Sequence, residues 1–243
     1  MNASDLSLHR YFSPCPSHGF TRRSIDLAVA TMAGAMLAPL MLVIAVALML
    51  ESGWPFLFVQ TRVGAGGRPF RMYKFRKFAA RCSPGGVPLT VAGDSRMTLI
   101  GKLLADTKFD ELPQLWNVLK GDMAIVGPRP ESLAFADCFL GGFEALLQYR
   151  PGLLGPTQAL FRHEAHLYPQ NLDPVLFYRE ILFPAKARID LSYYPERSIA
   201  SDIVWMFRSL RAVLYPAPPG GESFVVARRN IRGPAPLGRR GKA

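Results

Sequence analysis

Cysteine is scarce in this chain of 243 residues: Cys15, Cys82 and Cys138 are the only three, far apart and in no paired spacing. That argues against a disulfide framework or a zinc ribbon and makes a reducing compartment the default. Charge is thin as well. Asp, Glu, Lys and Arg make up 19% of the residues, against about a quarter in an average soluble domain. Acids are outnumbered 18 to 29 by Lys and Arg. Apolar residues reach 49% and mean hydropathy is +0.12, which excludes disorder through the whole length. No internal repeat is present. A basic, apolar chain of this size points first to a membrane surface or to a polyanion.

The net charge of +11 is unevenly placed. Residues 223–243 carry Arg228, Arg229, Arg232, Arg239, Arg240 and Lys242 and no acid. They follow Pro216, Pro218, Pro219, Gly220 and Gly221, so residues 216–243 read as a disordered basic tail that cannot bury a core. Its expected role is solubility or loose attraction to anionic membrane lipid, at about 1 kcal/mol per basic residue near the surface. Nucleic acid is not an expected partner, because no recognition fold or interleaved aromatics accompany the arginines.

From Leu27 to Leu50 no residue is charged. A bilayer needs about 20 apolar residues, so this run is long enough to enter one. It is too long for the apolar part of a signal peptide, and no small-residue cleavage site precedes Glu51. Two features argue against a straight span. Pro39 sits mid-run, where it removes a backbone hydrogen bond. Basic residues flank both ends: Arg22 and Arg23 before, and Arg62, Arg68, Arg71, Lys74, Arg76 and Lys77 after. The positive-inside rule places both flanks in the cytoplasm. The expectation is therefore a re-entrant hairpin over residues 25–51 that enters one leaflet, breaks at Pro39 and returns; a wholly buried soluble helix is the third reading.

After the short N-terminal segment (residues 1–24) and this helix, residues 52–215 read as a small catalytic domain. Phe56 to Gln60 and Pro69 to Phe75 read as strands joined at Gly64, Gly66 and Gly67, a hairpin turn without the helix and acid of a dinucleotide fingerprint. Residues 82–98 read as a loop rich in glycine and proline. Residues 99–120 read as helix in two pieces. In the second, Asp110-Glu111-Leu112-Pro113-Gln114-Leu115-Trp116-Asn117-Val118-Leu119-Lys120-Gly121, the apolar positions 112, 115, 116 and 119 share one helical face. Pro113 fits a first turn and Lys120-Gly121 a stop. Met123 to Val126 reads as a buried strand, running into the rigid turn Gly127-Pro128-Arg129-Pro130. Residues 149–158 read as an ordered loop. Residues 172–214 read as mostly helical with breaks at Pro174, Pro184 and Pro195, either interfacial amphipathic helices or core helices with basic outer faces. The fold class is α+β, mostly helical.

Adjacent carboxylates at a helix start can simply complement the helix dipole. The chemical reading is that free N–H groups there favour phosphate, and that Asp110 and Glu111 attack phosphorus or hold Mg²⁺. An Asp is ionised at neutral pH and needs no general base. Arg129, set between Pro128 and Pro130, suits a phosphate fork; its bland alternative is an ion pair with Asp122 or Glu131. His163 and His166 lack a third metal ligand and read as packing or surface residues.

The run from Phe109 to Met123, followed by Val126-Gly127-Pro128-Arg129-Pro130, closely resembles the bacterial sugar transferases, the monotopic polyprenyl-phosphate phosphoglycosyl transferases. Gln60-Thr61-Arg62-Val63-Gly64, Tyr73-Lys74-Phe75-Arg76, Asp94-Ser95-Arg96-Met97-Thr98 and Arg150-Pro151-Gly152 through Gln158 resemble its other motifs, so the likeness covers residues 22–215. The resemblance implies a membrane enzyme whose catalytic domain faces the bacterial cytoplasm and transfers a sugar phosphate from a UDP-sugar to undecaprenyl phosphate, releasing UMP. This is the initiating step of a surface glycan such as an exopolysaccharide or O-antigen. It implies Asp110 as nucleophile, Glu111 as Mg²⁺ ligand, and Arg129 with Pro128 and Pro130 at the nucleotide phosphates. It further implies substrate contacts from Lys74, Arg76 and Gln158, and leaves open a homodimer. The rivals are a membrane-anchored scaffold without catalysis and a sugar-nucleotide hydrolase. The chain departs from the family pattern at Ala38, where Ser is usual before the proline. It also departs at Ala105, where many members have Arg, so that Lys102 or Lys108 would supply the phosphate contact. Lys77-Phe78 stand where Ser-Met is usual, and Leu153-Leu154 where Ile-Thr is.

Overall fold

The computed structural model describes residues 19–79, 89, 94–169 and 171–215. The N-terminal residues 1–18, most of the loop at 82–98, the basic tail 216–243, and Cys15 and Cys82 lie outside the described residues. Cys138 is a half-buried free thiol, which burial pushes up to about 11.

The apolar run forms one helix, α1 (Phe20–Ser52), that begins ahead of Arg22 and stops at Gly53. Where a break is expected at Pro39, helix continues through it. One missing N–H in a helix of 33 residues leaves most of the backbone bonds intact. The reading as a buried core helix does not survive: in its most apolar stretch of 18 residues only 11% is buried. By length and composition this helix is able to cross a membrane.

Contact with the rest of the chain comes from both halves of α1, through Val29, Ala30 and Ala33 in the first and from Leu40 onward in the second. Near its start, Arg23 donates to the carbonyls of Val118 (2.7 Å) and Leu119 (2.9 Å), Arg22 pairs with Asp202 (3.1 Å), and Asp26 accepts the Ile125 N–H (2.9 Å). Near its end, Ile44, Ala45 and Leu48 pack with Phe75 and Leu104, and Arg76 donates to the carbonyls of Ser52 (2.7 Å) and Gly53 (2.8 Å). Between them Met32, Met36, Leu42 and Val43 are exposed.

The remaining elements make a small α+β body. Strands β1 (Leu57–Val63) and β2 (Pro69–Phe75) form an antiparallel hairpin with Leu57 opposite Phe75. Helices α2 (Leu99–Thr107) and α3 (Gln114–Lys120) follow, the first capped by the Thr98 hydroxyl, the second ended by Gly121 at φ 89°. Strand β3 (Ala124–Val126) is buried throughout and pairs in parallel with β4 (Gly152–Leu154). The segment expected as a loop at 149–158 is thus this strand plus the short helix α4 (Pro156–Leu160). Gly152 makes that pairing close: a Cβ there would lie 2.0 Å from the Gly127 nitrogen.

Helices α5 (Pro174–Phe177), α6 (Phe183–Tyr193) and α7 (Ile199–Leu214) complete the body. Pro184 does not break the chain as expected. A π-helical stretch, Tyr178–Leu182, joins α5 to α6, and the altered bonding there accommodates the proline that has no N–H to give. The two readings of this region divide between its helices. Helix α6 is core, burying Phe183, Ala185 and Ala187, whereas α7 exposes Ile203, Val204, Phe207, Leu210 and Leu214.

The helix face expected to be buried in α3 is shifted. Trp116 is 58% exposed, while Gln114 and Asn117 are buried beside Leu115 and Val118. Asn117 is inside because it bonds β2: its Oδ1 accepts the Tyr73 N–H (3.1 Å) and its Nδ2 donates to the Arg71 carbonyl (2.6 Å). Buried amide and carbonyl groups need such partners. Asn117→Ala leaves both without one and should cost about 2–3 kcal/mol, read as an earlier midpoint in denaturant unfolding of the detergent-solubilised protein.

Candidate active site

Asp110 and Glu111 lie on a single 3₁₀ turn, Phe109–Glu111, between α2 and α3. Lys108, at φ 62°, is the one non-glycine residue with positive φ among the described residues. Its left-handed conformation ends α2 and turns the chain sharply into the carboxylate pair, at a cost of about 1 kcal/mol. Asp110 is 3% exposed, and its Oδ1 is buried without a hydrogen-bond partner among the described residues.

Cations surround the pair. Lys74, on β2, donates to Glu111 Oε1 at 2.7 Å, and Arg129 stands 3.9 Å from the same oxygen. Burial works against the charge on Glu111, but Lys74, Arg129 and Lys108 outweigh it and hold this carboxyl well below the usual range. Asp110 is treated differently: burial raises it, Glu111 adds to that, and Lys74, Lys77 and Lys108 oppose the rise. Burial pulls Lys108 down, with Glu111 opposing, and pulls Lys77 down to about 8, with Asp110 opposing. Two neighbouring carboxylates are thereby driven apart, a pattern common at functional sites and also found in structural ion-pair networks.

Of the two lysines expected to replace the arginine absent at Ala105, Lys108 stands in this cage; Lys102 is exposed on α2. Arg76 is directed elsewhere, with its guanidinium engaged by the end of α1. Neither bland partner claims Arg129: Asp122 binds Lys120 and Asn117, and Glu131 binds Tyr178 and Lys186.

The turn that carries Arg129 is pinned at each proline. The Pro128 carbonyl accepts the Gly152 N–H (2.8 Å), and the Pro130 carbonyl accepts from Arg62 (3.3 Å). Gln158 bridges the two arms of the β3–β4 pair, donating to the carbonyls of Gly127 (3.0 Å) and Gly152 (3.1 Å). Its visible task is to hold the arginine's turn.

A buried network that sequence reasoning missed lies next to this turn. Lys186 is within 3.4 Å of Glu131 and 3.2 Å of Glu164 and donates to the Tyr178 hydroxyl at 3.0 Å. Tyr178 in turn donates to Glu131 (2.5 Å), and Tyr168 to Glu164 (2.9 Å). Burial opposes the charge on Arg129, yet Glu111, Glu164 and Glu131 together keep it firmly protonated. Glu131 and Lys186 are 55 positions apart, so no local spacing announces them. Lys186→Met should lower stability by about 3–5 kcal/mol in denaturant unfolding, because it strands the buried Glu131 and the partly buried Glu164. Adding Glu164→Gln should recover part of that loss.

Geometry alone defines a pair of adjacent carboxylates ringed by basic side chains, carried on a body that packs against both halves of a long apolar helix. Comparison with known proteins is more specific. The profile of the bacterial sugar transferases matches residues 17–216, and the chain belongs to that family. It is 36% identical over 204 residues to a UDP-N-acetylgalactosamine-undecaprenyl-phosphate N-acetylgalactosaminephosphotransferase of Aeromonas hydrophila, covering 83% of this chain and 45% of that protein. It is 44% identical over 140 residues to a UDP-glucose:undecaprenyl-phosphate glucose-1-phosphate transferase of Caulobacter vibrioides, covering 56% of this chain and 52% of that one. An exopolysaccharide production protein of Rhizobium leguminosarum is 38% identical over 144 residues. The chain thus spans about half the length of the first two relatives.

Proposed function

We propose that this chain transfers a sugar 1-phosphate from a UDP-sugar to a polyprenyl phosphate, undecaprenyl phosphate in the cell, as the first committed step of a surface polysaccharide. The observation that carries this reading is Asp110: a buried carboxylate whose Oδ1 has no partner among the described residues, ringed by Lys74, Lys77 and Lys108, with Arg129 on the neighbouring Glu111.

In the first half-reaction an Asp110 oxygen attacks the β-phosphorus. The bond from that phosphorus to the bridging oxygen breaks, its electron pair leaves with UMP, and a sugar phosphoryl-aspartate remains. An oxygen of the lipid phosphate then attacks the same phosphorus, and the Asp110 carboxylate departs with the bond pair. Neither step requires a proton from the protein. Burial excludes water, which would otherwise compete as acceptor, and Arg129 supplies a fork for the nucleotide's phosphate oxygens.

Mg²⁺ fits the residues present. A hard cation of this kind takes one or two carboxylates and completes its shell with phosphate and water oxygens. The free Asp110 oxygen and the firmly ionised Glu111 meet that need. When bound, the ion would neutralise charge on the diphosphate.

The membrane reading follows from α1. Both halves of α1 are fastened to the same folded body, which favours a helix held at one membrane face over a straight crossing. The catalytic body then lies on the cytoplasmic face of the bacterial inner membrane, where the sugar nucleotide is found, with the exposed apolar residues of α7 at the interface.

Purified protein in detergent should turn over a UDP-sugar to UMP repeatedly only with Mg²⁺ and polyprenyl phosphate present. Without the lipid it should release about one UMP per enzyme. Asp110→Asn should abolish both; repeated turnover without lipid would make the enzyme a hydrolase instead. For topology, single cysteines at Ser24 and Arg68 in a cysteine-free background should react with an impermeant thiol reagent only from the cytoplasmic side. Labelling of the two from opposite sides would establish a straight span.

A further inference from the structure

Behind the turn that carries Arg129 lies a buried acid that the proposed chemistry does not use. Asp190, on α6, is 4% exposed, and its Oδ1 has no hydrogen-bond partner among the described residues. Lys186 stands one helical turn before it but is committed elsewhere. Its three N–H groups face Glu131 (3.4 Å), Glu164 (3.2 Å) and the Tyr178 hydroxyl (3.0 Å). An ionised carboxylate withdrawn from water needs a cation or several donors. The other oxygen of Asp190, Oδ2, lies 3.2 Å from the Thr157 hydroxyl.

The protons along this contact can be counted. Gln158 donates through Nε2 to the carbonyls of Gly127 and Gly152, which only accept, so its Oε1 is an acceptor. Thr157 Oγ1 lies 3.1 Å from that oxygen and 3.2 Å from Asp190 Oδ2, with a single proton to give. If Asp190 is ionised, two acceptors compete for that proton and one is stranded in the interior. If Asp190 keeps its own proton, Oδ2 donates to Thr157, Thr157 donates to Gln158, and both contacts are satisfied. The chain is closely confined. A Cβ on Gly155 would lie 2.9 Å from Gln158 Oε1 and 2.6 Å from the Tyr194 hydroxyl, itself buried without a partner among the described residues.

We propose that Asp190 is a carboxylic acid that keeps its proton on Oδ2, and that the directed chain from Asp190 through Thr157 and Gln158 to the Gly127 carbonyl positions Arg129. Gly127 leads straight into Pro128 and Arg129, so the chain ends two residues before the guanidinium that serves the nucleotide. Asp190 is thus a positioning residue, acting through Gln158. Burial raises its carboxyl well above the usual range, Lys186 and the Thr157 bond oppose the rise, and Glu131 adds to it. Tyr194, on the 3₁₀ turn after α6, is raised as well, by burial first and Asp190 next, and stays neutral beside it.

The link to the nucleotide rests on the transfer reading above, whereas the protonation of Asp190 does not, and each has its own measurement. An unfolded Asp ionises near pH ~4, so a native acid that keeps its proton contributes stability that is complete below that pH and lost as pH rises. Asp190→Asn has no such proton to lose, and its amide still donates to Thr157. In detergent, the unfolding constant of the unsubstituted protein relative to Asp190→Asn should rise about tenfold per pH unit from about pH 5 to 7. A ratio independent of pH would mean an ionised Asp190 and overturn the assignment. Failure of Asp190→Asn to fold would overturn it too, since an amide replaces a neutral acid. In turnover, Thr157→Val should raise the KM for the UDP-sugar about two- to tenfold, the value of one hydrogen bond, with the KM for polyprenyl phosphate unmoved. Thr157→Ser should restore it, and Asp190→Asn should keep it. An equal loss for both substrates, or no change in Thr157→Val, would overturn the positioning role. Absence of UMP release from the unsubstituted enzyme would instead refute the transfer reading and leave the unfolding measurement standing.

Discussion

Two adjacent carboxylates withdrawn from water can coexist only if positive charge is brought to them, and most of this fold serves that end. Asp110 and Glu111 share one short turn, so each raises the other's cost of ionisation. Lys74 comes from β2, Lys77 from the segment just after it, Lys108 from the end of α2, and Arg129 from the turn after β3. No single element holds more than one part of the cage together with the acids, apart from Lys108. The hairpin, the two helices and the parallel strand pair must all be in place for Glu111 to stay ionised where water is withdrawn from it. That is why a buried asparagine joins α3 to β2 and why two glycines let β3 and β4 approach so closely.

The same body is the fastening for α1. Arg23 caps the C-terminal carbonyls of α3, the helix that follows the carboxylate turn, and Arg76 does so for α1 itself two residues after Lys74. The long apolar helix and the carboxylate turn are thus linked through hydrogen bonds to shared helices and strands. The proposed reaction would use that linkage, because a lipid phosphate is confined to the interface.

Much of the arrangement could be read from local patterns. The hairpin around Gly64–Gly67, the two helical pieces at 99–120 and the buried strand ending at Val126 are where spacing and turn residues put them. Each depends on near neighbours in the chain: alternation, caps, a proline in a first turn. The carboxylate pair and Arg129 were legible for a related reason, since their motif is contiguous. Elements that depend on distant partners were not. The strand at Gly152–Leu154 exists because β3 offers an edge, and Trp116 is turned outward because Asn117 has backbone groups of β2 to satisfy. Pro184 and Pro39 sit within continuous helical runs where local rules foresee breaks.

The sequence by itself determined the apolar helix with its basic flanks, the placing of Asp110 and Glu111 on a turn before a helix, and the family to which these motifs point. Those properties follow from composition and near-neighbour spacing. Only the tertiary structure decided which cations reach the carboxylates, that Arg76 holds the helix rather than the site, and that Glu131, Glu164, Tyr178 and Lys186 form a buried network near Arg129. Charge–charge interaction falls with distance in space, not along the chain, so its outcome is settled only when remote segments are packed together.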